Sequence, residues 1–294
     1  MAVYHEIFCE QALEEQRIPH TEHAELTPYM GCEHGCVYCY LAGMRPVQVG
    51  ADAFADVFVK TNLLEKLERE LAQSTRQVIV HLGSLTDCYQ PAEKTYALMP
   101  DILRLLLHYR VSMTLCTQSI SLLRDYDLID ALSRETYVEI STSVTTTDEP
   151  LRRKLEPRSA STAERLEMLH TFRQTNASIG LQIAPVIPYL TDSDDNLSSL
   201  LHAAHALDAD YVQSTMLYLR GATKERFFAW TARKYPQLEE DLRRLYKTGG
   251  AERHYKNAYY ERFHALRKQL GLADNNRKIQ REKMQSETTQ ITLF

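Results

Sequence analysis

The 294 residues carry 44% hydrophobic and 25% charged side chains and a formal charge of −5, the balance of a globular protein and not of a disordered or fibrous chain. No run approaches the ~18 uninterrupted apolar residues of a membrane span, and the opening MAVYHEIFCEQALEEQ is charged where a secretory leader needs an apolar stretch, so the expected compartment is the cytoplasm. Six cysteines in so long a chain exclude a disulfide scaffold.

In chain order, a first strand is expected near residues 24–29, ahead of a cysteine-rich loop. Short β-rich runs then alternate with longer segments of helical period. Strands are predicted over 77–82, 111–116, 137–144, 178–187 and 211–217, and helices over 59–74, 93–109, 121–133, 161–175 and 193–206. Six β/α units in this order predict an α/β fold, a partial (β/α)6 TIM-like barrel short of the eight units that close a ring. The barrel is assigned to residues 1–219, a basic helical extension to 220–271 and a disordered tail to 272–294. Residues 220–283 hold 17 Lys/Arg against 8 Asp/Glu, whereas 1–219 hold 17 against 30. A basic third on an acidic body suits either a phosphate backbone or a set of solvated helix faces.

Chemistry in such folds sits beyond the C-terminal ends of the strands, and the segments there are polar: the cysteine loop, GSLTDCYQP (83–91), TQS (117–119), SerThrSer (141–143) and APVIPYLTD (184–192). Cys32, Cys36 and Cys39 have the spacing C-x3-C-x2-C, with Gly35 free to turn the backbone between them. Three soft sulfurs suit zinc or an iron–sulfur cluster. Zinc would need a fourth ligand from His34, His20 or His23, whereas a cubane held by three cysteines leaves one iron open.

TPYMGCEHGCVYCYL, with Tyr38 in the aromatic slot, resembles the signature of radical S-adenosylmethionine enzymes. SLTDCYQPAEK (84–94), TQSISLLRDYDLID (117–130), LEPRSASTAERLEML (155–169) and APVIPYLTD narrow the resemblance to the spore photoproduct lyase-like, DNA repair photolyase-related branch. The resemblance implies a [4Fe–4S] cluster on Cys32, Cys36 and Cys39, with S-adenosylmethionine on its open iron as the source of a 5′-deoxyadenosyl radical. It implies further that Tyr38 packs near the adenine, that Thr86 and Asp87 meet the methionyl amine, that Ser141 and Ser143 meet the ribose and that Arg158 pairs with the methionyl carboxylate. Each residue also has a plainer reading: Asp87 caps a helix, the serines end a strand, Arg158 forms a surface ion pair.

Two departures stand out. Relatives carry Thr-Lys-Ser where this chain has Thr117-Gln118-Ser119, so Gln118 joins the cofactor shell as a hydrogen-bonding residue without the charge. The hydrogen-donating cysteine of spore photoproduct lyase aligns with Ser84, whose O–H bond is too strong for that role. Cys88 and Tyr40 are the catalytic candidates in its place, with Cys116 and Tyr89 as further relays; against this, a free cysteine is more often a small buried hydrophobe.

The last five residues resemble the bacterial sliding-clamp-binding pentapeptide, with Gln290, Leu293 and Phe294 as anchors; the alternative is that Leu293 and Phe294 dock on the protein's own surface. The expectation is a cytoplasmic radical enzyme acting on nucleic acid in DNA repair or modification, with a flavodoxin or ferredoxin as electron donor and no membrane partner. The alternatives are a peptide, protein or small-molecule substrate, or a zinc-stabilised, clamp-tethered binding module.

Overall fold

The computed structural model describes residues 2–18, 21–44, 47–74 and 78–291. Its strands are β1 Val3–Ile7, β2 Leu13–Ile18, β3 Thr21–Leu26, β4 Tyr29–Met30, β5 Asp56–Lys60, β6 Ile79–Leu82, β7 Ser112–Cys116, β8 Val138–Val144, β9 Ser178–Val186 and β10 Tyr211–Met216. Its helices are α1 Leu63–Gln73, α2 Glu93–Tyr96, α3 Leu98–His108, α4 Tyr126–Glu135, α5 Glu149–Leu155, α6 Thr162–Phe172, α7 Asp194–Ala206, α8 Gly221–Lys234, α9 Glu239–Leu245, α10 Arg253–Gln269 and α11 Arg277–Ile291.

Seven strands form one sheet in the order β10-β9-β8-β7-β6-β3-β2. The six from β3 to β10 pair in parallel, and β2 adds an antiparallel edge. This is the expected partial barrel, open between β2 and β10. Period-two alternation divides its faces. Val80, Leu82, Met113, Leu115, Val138, Ile140, Ile179 and Leu181 face outward into the main core, against Leu67, Leu103, Ile129, Met168 and Leu200 of the surrounding helices. The alternate positions, His23, Glu25, His81, Thr114, Cys116, Glu139, Ser141, Ser143 and Gln182, face inward. A closed eight-unit barrel fills its interior with branched apolar side chains; this one lines a lumen with hydrogen-bonding groups.

The strand runs and helix runs lie largely where the alternation places them; the short α5 is an addition, the helix expected over 121–133 starts only at Tyr126, and four further differences have a physical reason. Residues 59–74 split into β5 and α1, because DVFVK pairs with β1 on one side and β4 on the other in a second sheet. The helix expected over 93–109 breaks at Ala97 (φ 48°), where the Glu93 carboxylate accepts from the Leu98 and Met99 N–H groups and starts α3 afresh. The N-terminal strands β1 and β2 were not anticipated. Finally, the tail from residue 272 is not all irregular: α11 covers Arg277–Ile291, a stretch of Arg, Lys, Gln, Glu and Met without glycine or proline.

A second core caps the strand ends. Leu155, Ile187 and Leu217 meet Phe227, Phe228 and Trp230 of α8, with Val37 of the cysteine loop packed among them. Tyr259 and Phe263 of α10 belong to the main core, so the basic extension packs directly on the barrel. Among the described residues no helix is long and apolar enough to cross a membrane.

Candidate active site

The cysteine loop follows β4 at the C-terminal end of the parallel row. Backbone and amide contacts hold it on three sides: Cys32 N–H donates to the Ala53 carbonyl (2.9 Å), Glu33 N–H to Gln90 Oε1 (3.0 Å) and Val37 N–H to the Leu155 carbonyl (3.0 Å). Gly31 must be glycine, because at φ +91° a Cβ would lie 2.2 Å from the Asp56 carbonyl oxygen. All three thiols are free; Cys32 and Cys36 are buried and Cys39 is half-buried. Burial pushes Cys32 and Cys39 up to about 12 and raises Cys36 as well, the last also through its neighbours Glu156, Cys39 and Cys32. Three mutually repelling thiolates ionise only around a cation.

The donor set fits a cubane better than a single ion. Among the described residues no three His, Cys, Asp or Glu side chains gather closely enough to share one metal ion, and a cubane instead takes each thiolate on a separate iron. The fourth zinc ligands expected among the described residues are turned to other partners. His34 turns to Asp87 (3.4 Å) and His23 to His81 (2.5 Å), while His20 lies outside the described residues.

Tyr38 is clamped from below. Its hydroxyl donates to Glu156 Oε1 (2.7 Å), which also accepts from Thr145 (3.0 Å). Glu156 is ion-paired with Arg165, and both are fully buried. Arg165 in turn donates to the carbonyls of Ser143 (2.6 Å) and Ala160 (2.9 Å), tying the end of β8 to the start of α6. Sequence reasoning passed over both residues in favour of Arg158. That arginine is exposed, with its guanidinium against Gly35. The capping box Ser161–Glu164 fixes where α6 begins, but no local pattern reveals that Arg165 turns inward.

At the strand ends Asp87 accepts from Tyr89 N–H (2.8 Å), Thr117 Oγ1 (2.7 Å) and Gln118 N–H (2.8 Å). It therefore staples the loop after β6 to the end of β7 as well as forming a local turn. Gln118 bridges Cys36 (Sγ to Oε1, 3.6 Å) and Ser143 (Nε2 to Oγ, 2.9 Å). Ser141 accepts from Gln182 (3.3 Å). The fold thus brings Cys36, Tyr38, Asp87, Gln118, Ser141 and Ser143 together over the lumen.

Two expected residues stand elsewhere. Thr86 donates to the Tyr29 carbonyl and lines another cavity. Cys88 is wholly buried in the main core, on the outward side of the sheet. Arg158 is exposed, with its guanidinium against Gly35 of the cysteine loop and beside His34. Tyr40 is half-exposed and donates to the carbonyls of Ser84 (2.6 Å) and Leu85 (2.8 Å). Cys116, also half-buried, faces the lumen at the end of β7, its thiol pushed up to about 11 by burial. Just beyond β6 the exposed Ser84 donates to Glu25, whose carboxyl burial raises, and further down the strands the stacked pair His23–His81 leads to Thr114 (2.6 Å). Burial, aided by His23, holds His81 down to about 4.

Comparison with known proteins agrees with this geometry. The family model of the radical SAM superfamily matches residues 26–201. An uncharacterized protein of Mycobacterium tuberculosis is 34% identical over 257 residues, 84% of this chain and 74% of that protein. Another, of Methanocaldococcus jannaschii, is 28% identical over 167 residues, 57% of this chain and 61% of the other. Among solved structures, spore photoproduct lyase complexed with dinucleoside spore photoproduct superposes with a TM-score of 0.64 at 13% identity, covering 91% of this chain and 79% of that one. A radical SAM methyltransferase from Sphaerobacter thermophilus superposes with a TM-score of 0.53 at 15% identity, covering 89% and 67%. A mutant spore photoproduct lyase with bound AdoMet and dinucleoside spore photoproduct gives 0.63 at 12% identity, covering 90% and 78%.

Proposed function

The chain belongs to the radical SAM superfamily, whose members carry a [4Fe–4S] cluster and S-adenosylmethionine, and from that premise we propose that it acts on nucleic acid, in DNA repair or modification. When bound, the cluster and cofactor supply reductive cleavage to a 5′-deoxyadenosyl radical. The residues of this chain hold and orient them. Cys32, Cys36 and Cys39 are the iron ligands, Tyr38 is fixed by Glu156, and Asp87, Gln118, Ser141 and Ser143 form the polar cofactor shell. Gln118 takes the place of a charged residue, and the nearest buried cation at the strand ends is Arg165, already committed to Glu156.

The observation that carries the reading is the polar inner face of the sheet beneath the cysteine loop, with Gln213 and Thr215 exposed on its edge strand β10. Such a face suits a hydrogen-bonding substrate better than an apolar one. Likeness in fold to spore photoproduct lyase and the basic surplus of α8–α11 support nucleic acid. The chemistry nonetheless departs from authentic spore photoproduct repair, since Ser84 is spent on Glu25 and cannot act as a thiol. Of the cysteines outside the cluster loop, Cys116 reaches the lumen and Cys88 does not. A flavodoxin or ferredoxin is the proposed electron donor.

The test is anaerobic reconstitution with iron and sulfide, dithionite reduction and assay of 5′-deoxyadenosine with and without DNA. Cleavage that DNA stimulates, at a salt-sensitive affinity, supports the reading. Cleavage indifferent to DNA moves the substrate to a peptide or small molecule. In Cys36→Ala the 5′-deoxyadenosine should disappear; unchanged turnover in that variant would overturn the ligand assignment.

A further inference from the structure

The three cysteines of the loop are approached by different kinds of donor. Backbone N–H groups of His34 and Asp87 reach the Cys32 sulfur, and that of Leu41 reaches Cys39. Cys36 is met by two side chains, Tyr38 and Gln118. The Tyr38 hydroxyl is already given to Glu156 (2.7 Å), which leaves the Gln118 carboxamide, whose Oε1 lies 3.6 Å from Cys36 Sγ. The backbone of Gln118 is fixed on both sides: its N–H donates to Asp87 (2.8 Å) and its carbonyl accepts from Ala160 N–H (3.2 Å). Across the carboxamide, Nε2 donates to Ser143 Oγ (2.9 Å).

This arrangement suits a free thiol, which has a proton to give to Oε1. A sulfur bound to iron has none, and it faces the carboxamide oxygen as a second acceptor. Half a turn of the carboxamide about its last bond exchanges oxygen and nitrogen while every other heavy atom stays in place. Nε2 then donates to the sulfur, and Oε1 accepts from the Ser143 hydroxyl, a group that serves as donor or acceptor. We infer that Gln118 donates an N–H to the Cys36 sulfur of the cluster-loaded protein and thereby raises the reduction potential of the cluster. Donation draws electron density from the sulfur and stabilises the reduced cluster, which carries one more negative charge. Gln118 acts here through Cys36, as a positioning and tuning residue, and the inference rests on Cys36 being an iron ligand.

The test uses the full-length, cluster-loaded protein without S-adenosylmethionine, its midpoint potential read by redox titration and its reduced cluster by electron paramagnetic resonance. Gln118→Leu, which removes the donor, should lower the potential. Gln118→Glu should lower it further, because a carboxylate donates nothing and adds a negative charge. Ser143→Ala, which removes only the group that holds Oε1 after the rotation, should lower it by less than Gln118→Leu. In the parent protein carrying nitrogen-15 at its glutamine side-chain amides, pulsed resonance of the reduced cluster should show a nitrogen coupling that Gln118→Leu loses. A potential in Gln118→Leu equal to the parent's or above it overturns the inference, as does the absence of that coupling from the parent, a reading that needs no variant to assemble its cluster. If Cys36→Ala still carries a complete cluster, the ligand assignment falls and the inference with it. If the parent cluster assembles normally and only the coupling is missing, the ligand assignment stands and the inference alone fails.

Discussion

At the scale of single residues, the strongest constraint on the site is a charge that never meets water. Glu156 holds Tyr38 in place only because Arg165 neutralises it, and a buried pair of this kind is weak in net terms but expensive to break from one side. Glu156→Gln should therefore destabilise the fold by about 3–5 kcal/mol in urea titration. Tyr38→Phe, which removes one donor to the same carboxylate, should cost roughly 1–3 kcal/mol. A second residue-scale prediction concerns acid. His81 is held down to about 4, against an ordinary 6.5, by burial first and His23 second. Above pH 6.5 the imidazole is neutral folded and unfolded alike. Between 6.5 and about 4 the unfolded chain takes up a proton that the folded chain refuses, so stability falls with pH by up to about 3 kcal/mol. His81→Gln should flatten that limb when urea midpoints are compared at pH 7 and 4.5; equal losses in both proteins would assign the acid limb to other groups. The cysteine ligands were legible in the sequence because their chemistry is local, eight residues of fixed spacing. Glu156 and Arg165 were not, since a charged residue carries no mark of burial until the elements around it are packed.

At the scale of elements, alternation made the parallel row readable and long-range pairing hid the rest. β6 to β10 each show apolar residues on alternate positions because one face meets helices and the other a polar lumen. β1 carries no such signal: its partner β5 lies more than fifty residues away, and neither segment is a strand without the other. The helix expected over 93–109 breaks at Ala97 because Pro100 has no N–H for a continuous helix and is tolerated only in the first turn of a new one, while the Glu93 carboxylate reaches forward to cap the Leu98 and Met99 amides. Between β9 and β10 the register sets Gly180 opposite Tyr211, and the tyrosine ring crosses directly over the glycine to reach Glu139. A Cβ at residue 180 would lie 2.2 Å from that ring. Gly180→Ala should cost roughly 1–3 kcal/mol as overpacking, and much less in a Tyr211→Ala background, where the ring is gone. Equal costs in both backgrounds would show that the glycine serves the backbone and not the tyrosine.

At the scale of the whole molecule, the two ends of the barrel are given to different tasks. The cysteine loop, Tyr38 and the polar shell occupy the C-terminal ends of the strands. The chain leaves the barrel at the opposite end: Val212 N–H donates to the Ala273 carbonyl (3.0 Å), and Asn276 contacts Tyr137 and Glu139 at the start of β8. From there α11 runs to Ile291, with Lys283 donating to the Asn176 carbonyl on the way, and Leu293 and Phe294 of the proposed clamp-binding segment lie outside the described residues. A helix in place of a disordered tail makes the tether stiffer than composition alone suggests, which narrows the positions a bound clamp can take relative to the lumen. Anchoring opposite the active end also means that a clamp held there need not cover the cysteine loop. Deleting residues 290–294 should therefore abolish co-elution with the sliding clamp and leave DNA-independent cofactor cleavage within about two-fold of the parent, a change too small to reflect lost transition-state contacts. DNA-stimulated cleavage should fall only when the clamp is loaded in the assay, because recruitment raises local concentration without adding a contact at the site. If the shortened protein keeps its clamp affinity, the segment is not the anchor; if cleavage without DNA collapses as well, the last five residues support the barrel itself and not a partner.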